Sequence, residues 1–342
     1  MANTTDKQIR TGMLAYGMSG KIFHGPFLFA HDGFELYGVV ERNTQKAGAD
    51  YPTIKSFGSI TDMLADSSIE LIVVNTPNGM HFEHAKMAME MGKHVLVEKP
   101  VCTSVQELDT LYKVADRTGK ALLFYQNRRW DSDYLNCVEM IDTGLLGKLH
   151  EVHFRYDRYK LAIGPKVFKE TVQPGSGLQF DLGPHLLDQA IRLFGRPQKI
   201  YKRLLKIRPE TLVDDFFNIH LSYEDNLEVF LTSSLATQGN PPAFTVYGQL
   251  GSYHKLRTDV QEGQLLKGMK VLDPNYGKVL ADQGGEYILA KEGGEKKILP
   301  EAPSNYLKLF DAVYGAIREN KPFPVTREQI RIQLEILTAP ND

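Results

Sequence analysis

The run His94-Val95-Leu96-Val97-Glu98-Lys99-Pro100 delivers a carboxylate and an amine to the end of a short apolar β-pattern. In an open parallel sheet, ligands collect outside the carboxyl ends of the strands, so Lys99 is aimed where a substrate would sit. Pro100 disfavours the α region for Lys99 and stiffens its position. A cis Lys99-Pro100 bond is expected at so sharp a strand end, because proline lowers the cost of that isomer. The second constellation is Asp181-x-x-x-His185. Four-residue spacing on a helix sets both side chains on one face. An imidazole partly buried among Leu182, Leu186 and Leu187 beside a carboxylate suits a base working near neutral pH. Taken singly, Glu98-Lys99 reads equally as a solvated ion pair, and Asp181 and His185 as a surface pair.

The elements that must position these groups alternate regularly. Ile9 to Tyr16 reads as a strand, Gly17-Met18-Ser19-Gly20 as a glycine turn, and Lys21 to Ala30 as a helix. Glycines let a backbone turn tightly and approach a pyrophosphate, while the free N–H groups of the helix start face its charge. The third glycine of the usual fingerprint is absent, and a plain strand-helix turn remains the competing reading. Phe34 to Val40 is a second strand ending in Glu41, about twenty residues after the turn, where a ribose-binding carboxylate is expected. Arg42 beside it is suited to a 2′-phosphate, so the two residues argue against each other. Repulsion from the carboxylate outweighs one exposed arginine pair, which favours NAD while leaving NADP possible. Ile69 to Asn75 stops at Thr76-Pro77-Asn78, small polar groups beside the same crevice. His81 and His84 follow on the helix Met80 to Met91. No fourth ligand has matching spacing, so no metal is expected, and a helix-surface or phosphate-neighbouring role suits them better. Ser104-x-x-Glu107 is a capping box opening a helix to Gly119, and Ala121 to Tyr125 is a further strand. Such alternation means parallel strands joined by right-handed crossovers, a doubly wound Rossmann sheet closing near Gln126.

Beyond it Asn127-Arg128-Arg129-Trp130-Asp131 crowds the only tryptophan and two arginines past a strand end. Either arginine could reach a polar substrate, or form an interdomain salt bridge. From Leu149 the pattern changes to period two, and similar runs recur at Lys199 to Ile207, Phe216 to Tyr223, Leu227 to Leu235 and Ala243 to Gln249. These make a largely antiparallel, open sheet in an α+β domain. Gly263 to Lys297 reads as loop and hairpin without chemistry. The expected division is therefore 1–126 and 127–342, with the last helices, Tyr306 to Asn320 and Arg327 to Leu337, able to pack back on the first domain.

Bulk composition narrows the function. The 342 residues carry a net charge of -2 with no long basic run, so nucleic acid and anionic membrane are not expected partners. Two cysteines, Cys102 and Cys137, are too few for a disulfide framework and fit a reducing cytoplasm. The polar start Met1 to Gln8 has no signal-peptide core, and no apolar run is long enough to span a bilayer.

With Glu98-Lys99-Pro100, Gly17-x-x-Gly20 and Asp181-x-x-x-His185 in hand, the sequence resembles the Gfo/Idh/MocA oxidoreductases from Ile9 to Leu337. Phe23-His24-x-Pro26, Thr76-Pro77-Asn78 and Asn127-Arg128-Arg129-Trp130-Asp131 bring it nearest the scyllo-inositol dehydrogenase-like members. The resemblance implies a Rossmann domain plus an α/β domain whose open sheet forms a homodimer or homotetramer. It also implies Lys99, Asp181 and His185 as catalytic residues. The cofactor set is then Gly17, Met18, Ser19, Gly20, Glu41, Arg42, Thr76, Pro77, Asn78, His81, Glu98, Lys99 and Asn127. Arg128, Trp130, Arg158 and Tyr159 join Lys99, Asp181 and His185 around a small cyclic polyol or sugar. Two alternatives stay open at this point: an NAD-dependent glycosidase or lyase that oxidises its sugar transiently, and a non-catalytic dinucleotide sensor.

Overall fold

The computed structural model describes residues 8–164 and 170–341. The first sheet is wholly parallel and runs β3-β2-β1-β4-β5-β6, with β1 Ile9–Met13, β2 Phe34–Val40, β3 Lys55–Phe57, β4 Leu71–Val74, β5 His94–Val97 and β6 Leu122–Phe124. Its central strands are apolar throughout because helices cover both faces; Leu71 to Val74 and Val95 to Val97 are fully buried. The order reverses at β1, so the ends of β1 and β4 flank the switch point at which such sheets bind ligands. The Lys99–Pro100 peptide is cis.

Local signals set the helix starts. Ser104 Oγ accepts from Glu107 N at 3.2 Å and opens the helix Val105–Thr118. Glu107 reaches back to Thr103 N at 2.8 Å, one residue beyond the partner a standard capping box would use.

The second sheet has eight strands in the order β14-β13-β12-β11-β7-β10-β9-β8. They are β7 Leu149–Arg155, β8 Lys199–Leu205, β9 Phe216–Ser222, β10 Glu228–Ser234, β11 Phe244–Gly248, β12 Gly251–Lys255, β13 Gly285–Leu289 and β14 Lys296–Leu299. Only β7 and β10 pair in parallel; every other ladder is antiparallel. Alternation puts Val152, Phe154, Ile219, Leu221, Val229 and Leu231 on one face, where they pack with Leu182, Leu186 and Ile191 of the helix Leu178–Phe194. The stretch read as loop and hairpin therefore supplies two strands, β13 and β14, to this sheet.

Contacts divide the chain into two compact units. One runs through Asn127 and takes in Glu262–Tyr276 and Tyr306–Thr326; the other holds Arg128–Gln261, Gly277–Asn305 and the chain from Arg327. The two last helices part company. Leu307–Arg318 belongs with the first sheet, where Phe310 stacks on Phe27 at 5.2 Å and Arg318 pairs with Glu70 at 2.7 Å. Arg327–Thr338 stays in the second unit, where Gln179 Nε2 and Lys202 Nζ donate to the Leu337 carbonyl at 3.1 and 2.9 Å.

Candidate active site and dinucleotide turn

The glycine turn is wider than a plain strand-helix turn. Residues Ser19–His24 form a widened helical turn, in which Gly25 N donates to the Gly20 carbonyl five residues back, before the helix Gly25–Ala30 begins. The Asn75 side chain fixes the approach to this turn by accepting from Ala15 N at 3.0 Å and donating to Ala15 O at 2.9 Å, which ties the exit of β1 to the end of β4. Gly20 has to be glycine: a Cβ there would lie 2.3 Å from Ala15 O and 3.0 Å from Asn75 Nδ2. A Cβ on Gly17 would meet nothing within 4 Å, so that side of the turn is bare backbone facing open space. Bare glycine backbone on one side and a helix start on the other fit a pyrophosphate. Met18 is exposed beside it.

Glu98 is the hub of the β5 tip. Its Oε1 accepts from Ser19 Oγ at 2.7 Å and lies 2.9 Å from His24 Nε2, while Oε2 accepts from Lys99 N at 3.2 Å. Burial pushes the carboxyl pKa up, but the hydrogen bonds from His24 and Ser19, with the His24 and Lys99 charges, more than offset this and hold it at about 2. His24 is fully buried, with Tyr125 at 4.2 Å and Phe310 at 6.4 Å between ring centroids. Lys99 is half-buried directly after Glu98. Thr76 Oγ1 bonds His84 Nδ1 at 2.9 Å, Pro77 is exposed, and Asn78 begins a single tight turn. Asn127 is buried at the start of the turn Asn127–Trp130.

Two expected cofactor ligands are engaged elsewhere. His81 is 1% exposed, and its Nδ1 and Nε2 each lie 2.7 Å from a carbonyl, of Pro100 and Thr76 respectively. Both ring edges are thus spent on tying the β4 and β5 tips together, which leaves no edge for a dinucleotide. Glu41 turns its carboxylate inward: Oε1 accepts from Lys46 N at 2.7 Å and Ala47 N at 3.2 Å, and Oε2 from Ser56 Oγ at 2.9 Å. These bonds close the loop 42–46, and the carboxylate does not stand open to a ribose as its position in sequence suggests.

In the second unit Asp181 and His185 lie one turn apart in the helix Leu178–Phe194, with Asp181 half-buried and His185 6% exposed. The start of that helix is held by Asp214, which sequence reading missed. Its Oδ2 accepts from Gln179 N at 2.7 Å and its carbonyl from Leu178 N at 2.9 Å. Gly177 must be glycine here, at φ +89 with Asp214 Oδ1 only 1.9 Å from where a Cβ would sit. Arg128 pairs with Asp131 at 3.2 Å and lies 5.0 Å from the centre of the Tyr156 ring. Arg158 is exposed and 5.2 Å from the same ring. Trp130 is half-buried, its carbonyl accepting from Gln261 Nε2 at 3.0 Å, and Tyr159 is 56% exposed. Arg129 does not reach for substrate. Its guanidinium is clamped to both oxygens of Asp188 at 2.7 Å, with both side chains 3% exposed, inside one unit rather than between two.

The family models for the Gfo/Idh/MocA NAD-binding Rossmann fold and for the Gfo/Idh/MocA C-terminal domain match residues 9–126 and 134–254. The chain belongs to the Gfo/Idh/MocA oxidoreductase family. A Bacillus subtilis scyllo-inositol 2-dehydrogenase (NADP(+)) is 31% identical over 94% of this chain and 89% of its own. An Escherichia coli D-glucoside 3-dehydrogenase is 26% identical over 56% of each chain. A solved oxidoreductase from Bacillus cereus superposes with a TM-score of 0.89 at 27% identity, covering 97% of both chains.

Family membership makes a nicotinamide dinucleotide the cofactor, and the turn Gly17–Gly20 has the bare backbone it needs. His24, beside Glu98, and Arg257, against Tyr156, are contacts that the sequence did not lead one to expect. Arg257 lies 4.0 Å from the centre of the Tyr156 ring, making it the third guanidinium on that side chain, and no spacing in the sequence links it to Arg128 or Arg158. For His24 the one signal was its place in Phe23-His24-x-Pro26. Among the described residues no group of three His, Cys, Asp or Glu side chains could hold a metal ion, and no helix is long and apolar enough to cross a membrane.

Proposed function

We propose that this oxidoreductase is an NAD(P)-dependent dehydrogenase or reductase acting on a CH–OH group of a cyclic polyol or sugar. The observation that carries the reading is the Ser19–Glu98 hydrogen bond, which joins the dinucleotide turn to the residue before Lys99. A lysine held by the cofactor turn serves chemistry at the cofactor. The scyllo-inositol and glucoside relatives support the substrate class.

The bound dinucleotide supplies the hydride acceptor or donor. His185 takes the proton of the reacting hydroxyl, and Asp181, one turn earlier, orients and polarises it. The Lys99 ammonium donates to the reacting oxygen and stabilises alkoxide charge as it develops. Arg128, Trp130, Arg158 and Tyr159 bind the remaining hydroxyls. The stack of Tyr201, His220, Phe230 and His153 across β8, β9, β10 and β7 supports this sheet as a homodimer or homotetramer surface, to be checked by light scattering. A panel of inositols and sugars read by nicotinamide absorbance tests the activity. Stoichiometric reduction of the dinucleotide by one cyclic polyol or sugar is the expected result, and turnover of none would refute the reading.

A further inference from the structure

The strands β4 and β5 present Asn75 and Glu98 just past their carboxyl ends. Their amino ends, on the opposite side of the first sheet, open on a cavity of about 440 Å³ floored by Leu64, Ile69 and Met91. That volume is in the range of small-molecule sites. Its polar wall is cationic. Glu70, the one carboxylate lining it, is committed to Arg318, whose Nη2 donates to Oε1 at 2.7 Å. The next acid, Asp66, pairs with Lys55 at 3.1 Å.

The basic groups differ in how far they are engaged. Lys93 is 4% exposed, and its Nζ donates to the Asp66 and Ile69 carbonyls at 2.7 and 2.8 Å, just past the helix Ile60–Ala65. Lys120 is half-buried and folds over Gly92, with its Cε 4.0 Å from where a Cβ on that glycine would sit. Among the described residues no acceptor bonds its ammonium. The helices His81–Glu90 and Val105–Thr118 end on this side and bring about half a negative charge each, which leaves the two lysines with roughly one charge unbalanced.

His94 adds a directed donor. Ala121 N donates to its Nδ1 at 3.0 Å, so the neutral ring carries its hydrogen on Nε2. Among the described residues nothing accepts that hydrogen. Burial first and Lys120 second push this imidazole below its ordinary pKa, which keeps the ring neutral and confirms how near the lysine charge lies. Ser67, exposed at the rim, offers a hydroxyl as well.

We propose that this cavity is a second ligand site, for a small organic anion whose carboxylate or phosphate group lies between Lys120 Nζ and His94 Nε2 and whose apolar body rests on Leu64, Ile69 and Met91. An anionic headgroup takes a charge-assisted bond from the ammonium and a second bond from the imidazole, and it balances the excess charge. None of these residues belongs to the cofactor or substrate set, so the site stands independently of the dehydrogenase reading.

Calorimetric titration of the full chain with phenyl phosphate, benzoate and benzyl alcohol, in a buffer free of phosphate and carboxylate, tests it. One of the two anions should bind at least about tenfold more tightly than the neutral alcohol, and the tighter of them identifies the headgroup. Lys120→Ala should weaken that anion at least about fivefold, and added salt should weaken it in the wild type. Saturating NADH, which fills the glycine turn at the other end of the sheet, should leave the anion's affinity within about twofold. Equal binding of the alcohol overturns the proposal, as does an affinity that Lys120→Ala leaves unchanged. Loss of the anion in the presence of NADH, or binding of neither anion at about 10 mM, overturns it too.

Discussion

His24 Nε2 lies 2.9 Å from Glu98 Oε1, joining a fully buried imidazole to the carboxylate beside Lys99 across 74 positions of sequence. Glu98 has an ordinary pKa of 4.5 and sits at about 2 in the fold. A depressed folded value contributes stability that is present above the ordinary pKa and is lost as pH falls toward the folded one. The carboxylate therefore contributes on the order of 3 kcal/mol near neutrality, lost between about pH 4.5 and 2. His24→Phe keeps a ring against Tyr125 and Phe310 but removes the donor. Urea unfolding of both proteins at pH 6 and pH 3 should show a stability gap that narrows at the lower pH. A gap of constant size would mean that the imidazole does not hold Glu98 ionised.

The proposed base should separate chemistry from cofactor binding. His185→Ala is expected to lower kcat by about 10²–10⁴-fold while dinucleotide affinity stays within about twofold. Lys99→Met should lower kcat likewise, since the lost donor acts on the reacting oxygen. Wild-type turnover by either variant on the true substrate would remove that residue from the mechanism.

Gly17 and Gly20 lie three residues apart and should fail differently. Alanine at Gly17 meets no protein atom within 4 Å, so thermal stability should move by no more than about 0.5 kcal/mol while dinucleotide affinity falls. Alanine at Gly20 is driven into the Ala15 carbonyl at 2.3 Å, so the β1–β4 junction has to shift and stability falls too. Melting temperatures and titrations on both variants check the contrast. Unchanged affinity in Gly17→Ala would place the pyrophosphate elsewhere.

The Arg129–Asp188 pair is bidentate and 3% exposed on each side. Asp188→Ala removes both carboxylate contacts of a buried guanidinium that also donates to Gln329 Oε1 at 2.9 Å. The cost should be about 3–5 kcal/mol in a denaturant melt. A loss below about 1 kcal/mol would show that water reaches the guanidinium.

Gly177 and Asp214 are coupled by space. Gly177→Ala should cost about 1–3 kcal/mol, from a positive φ and from a Cβ that would overlap Asp214 Oδ1. Asp214→Ala removes the acceptor for Gln179 N at the helix start and should cost about 1 kcal/mol. In the double variant the overlap is gone, so the two losses should fall short of their sum. Additive losses would mean that the backbone angle alone requires glycine.

The sequence by itself determined whatever is encoded locally. Apolar runs such as Leu71–Val74 and Val95–Val97 specify buried parallel strands. Period-two runs specify the second sheet, and Ser104 starts its helix through a neighbour three residues on. The spacing of Gly17 and Gly20 after a strand likewise marks a turn with bare backbone, because backbone approach depends on residue type at adjacent positions. What depends on distant partners was decided only by the tertiary structure. Nothing near Glu41 shows that Lys46, Ala47 and Ser56 claim its carboxylate, and nothing near His81 shows two carbonyls waiting at its ring. The return of Glu262–Tyr276 and Tyr306–Thr326 to the first unit follows from surfaces such as Phe27 against Phe310, separated by nearly the whole chain. Side-chain direction is set by competition among all available partners, and most of those partners become neighbours only when the chain has folded.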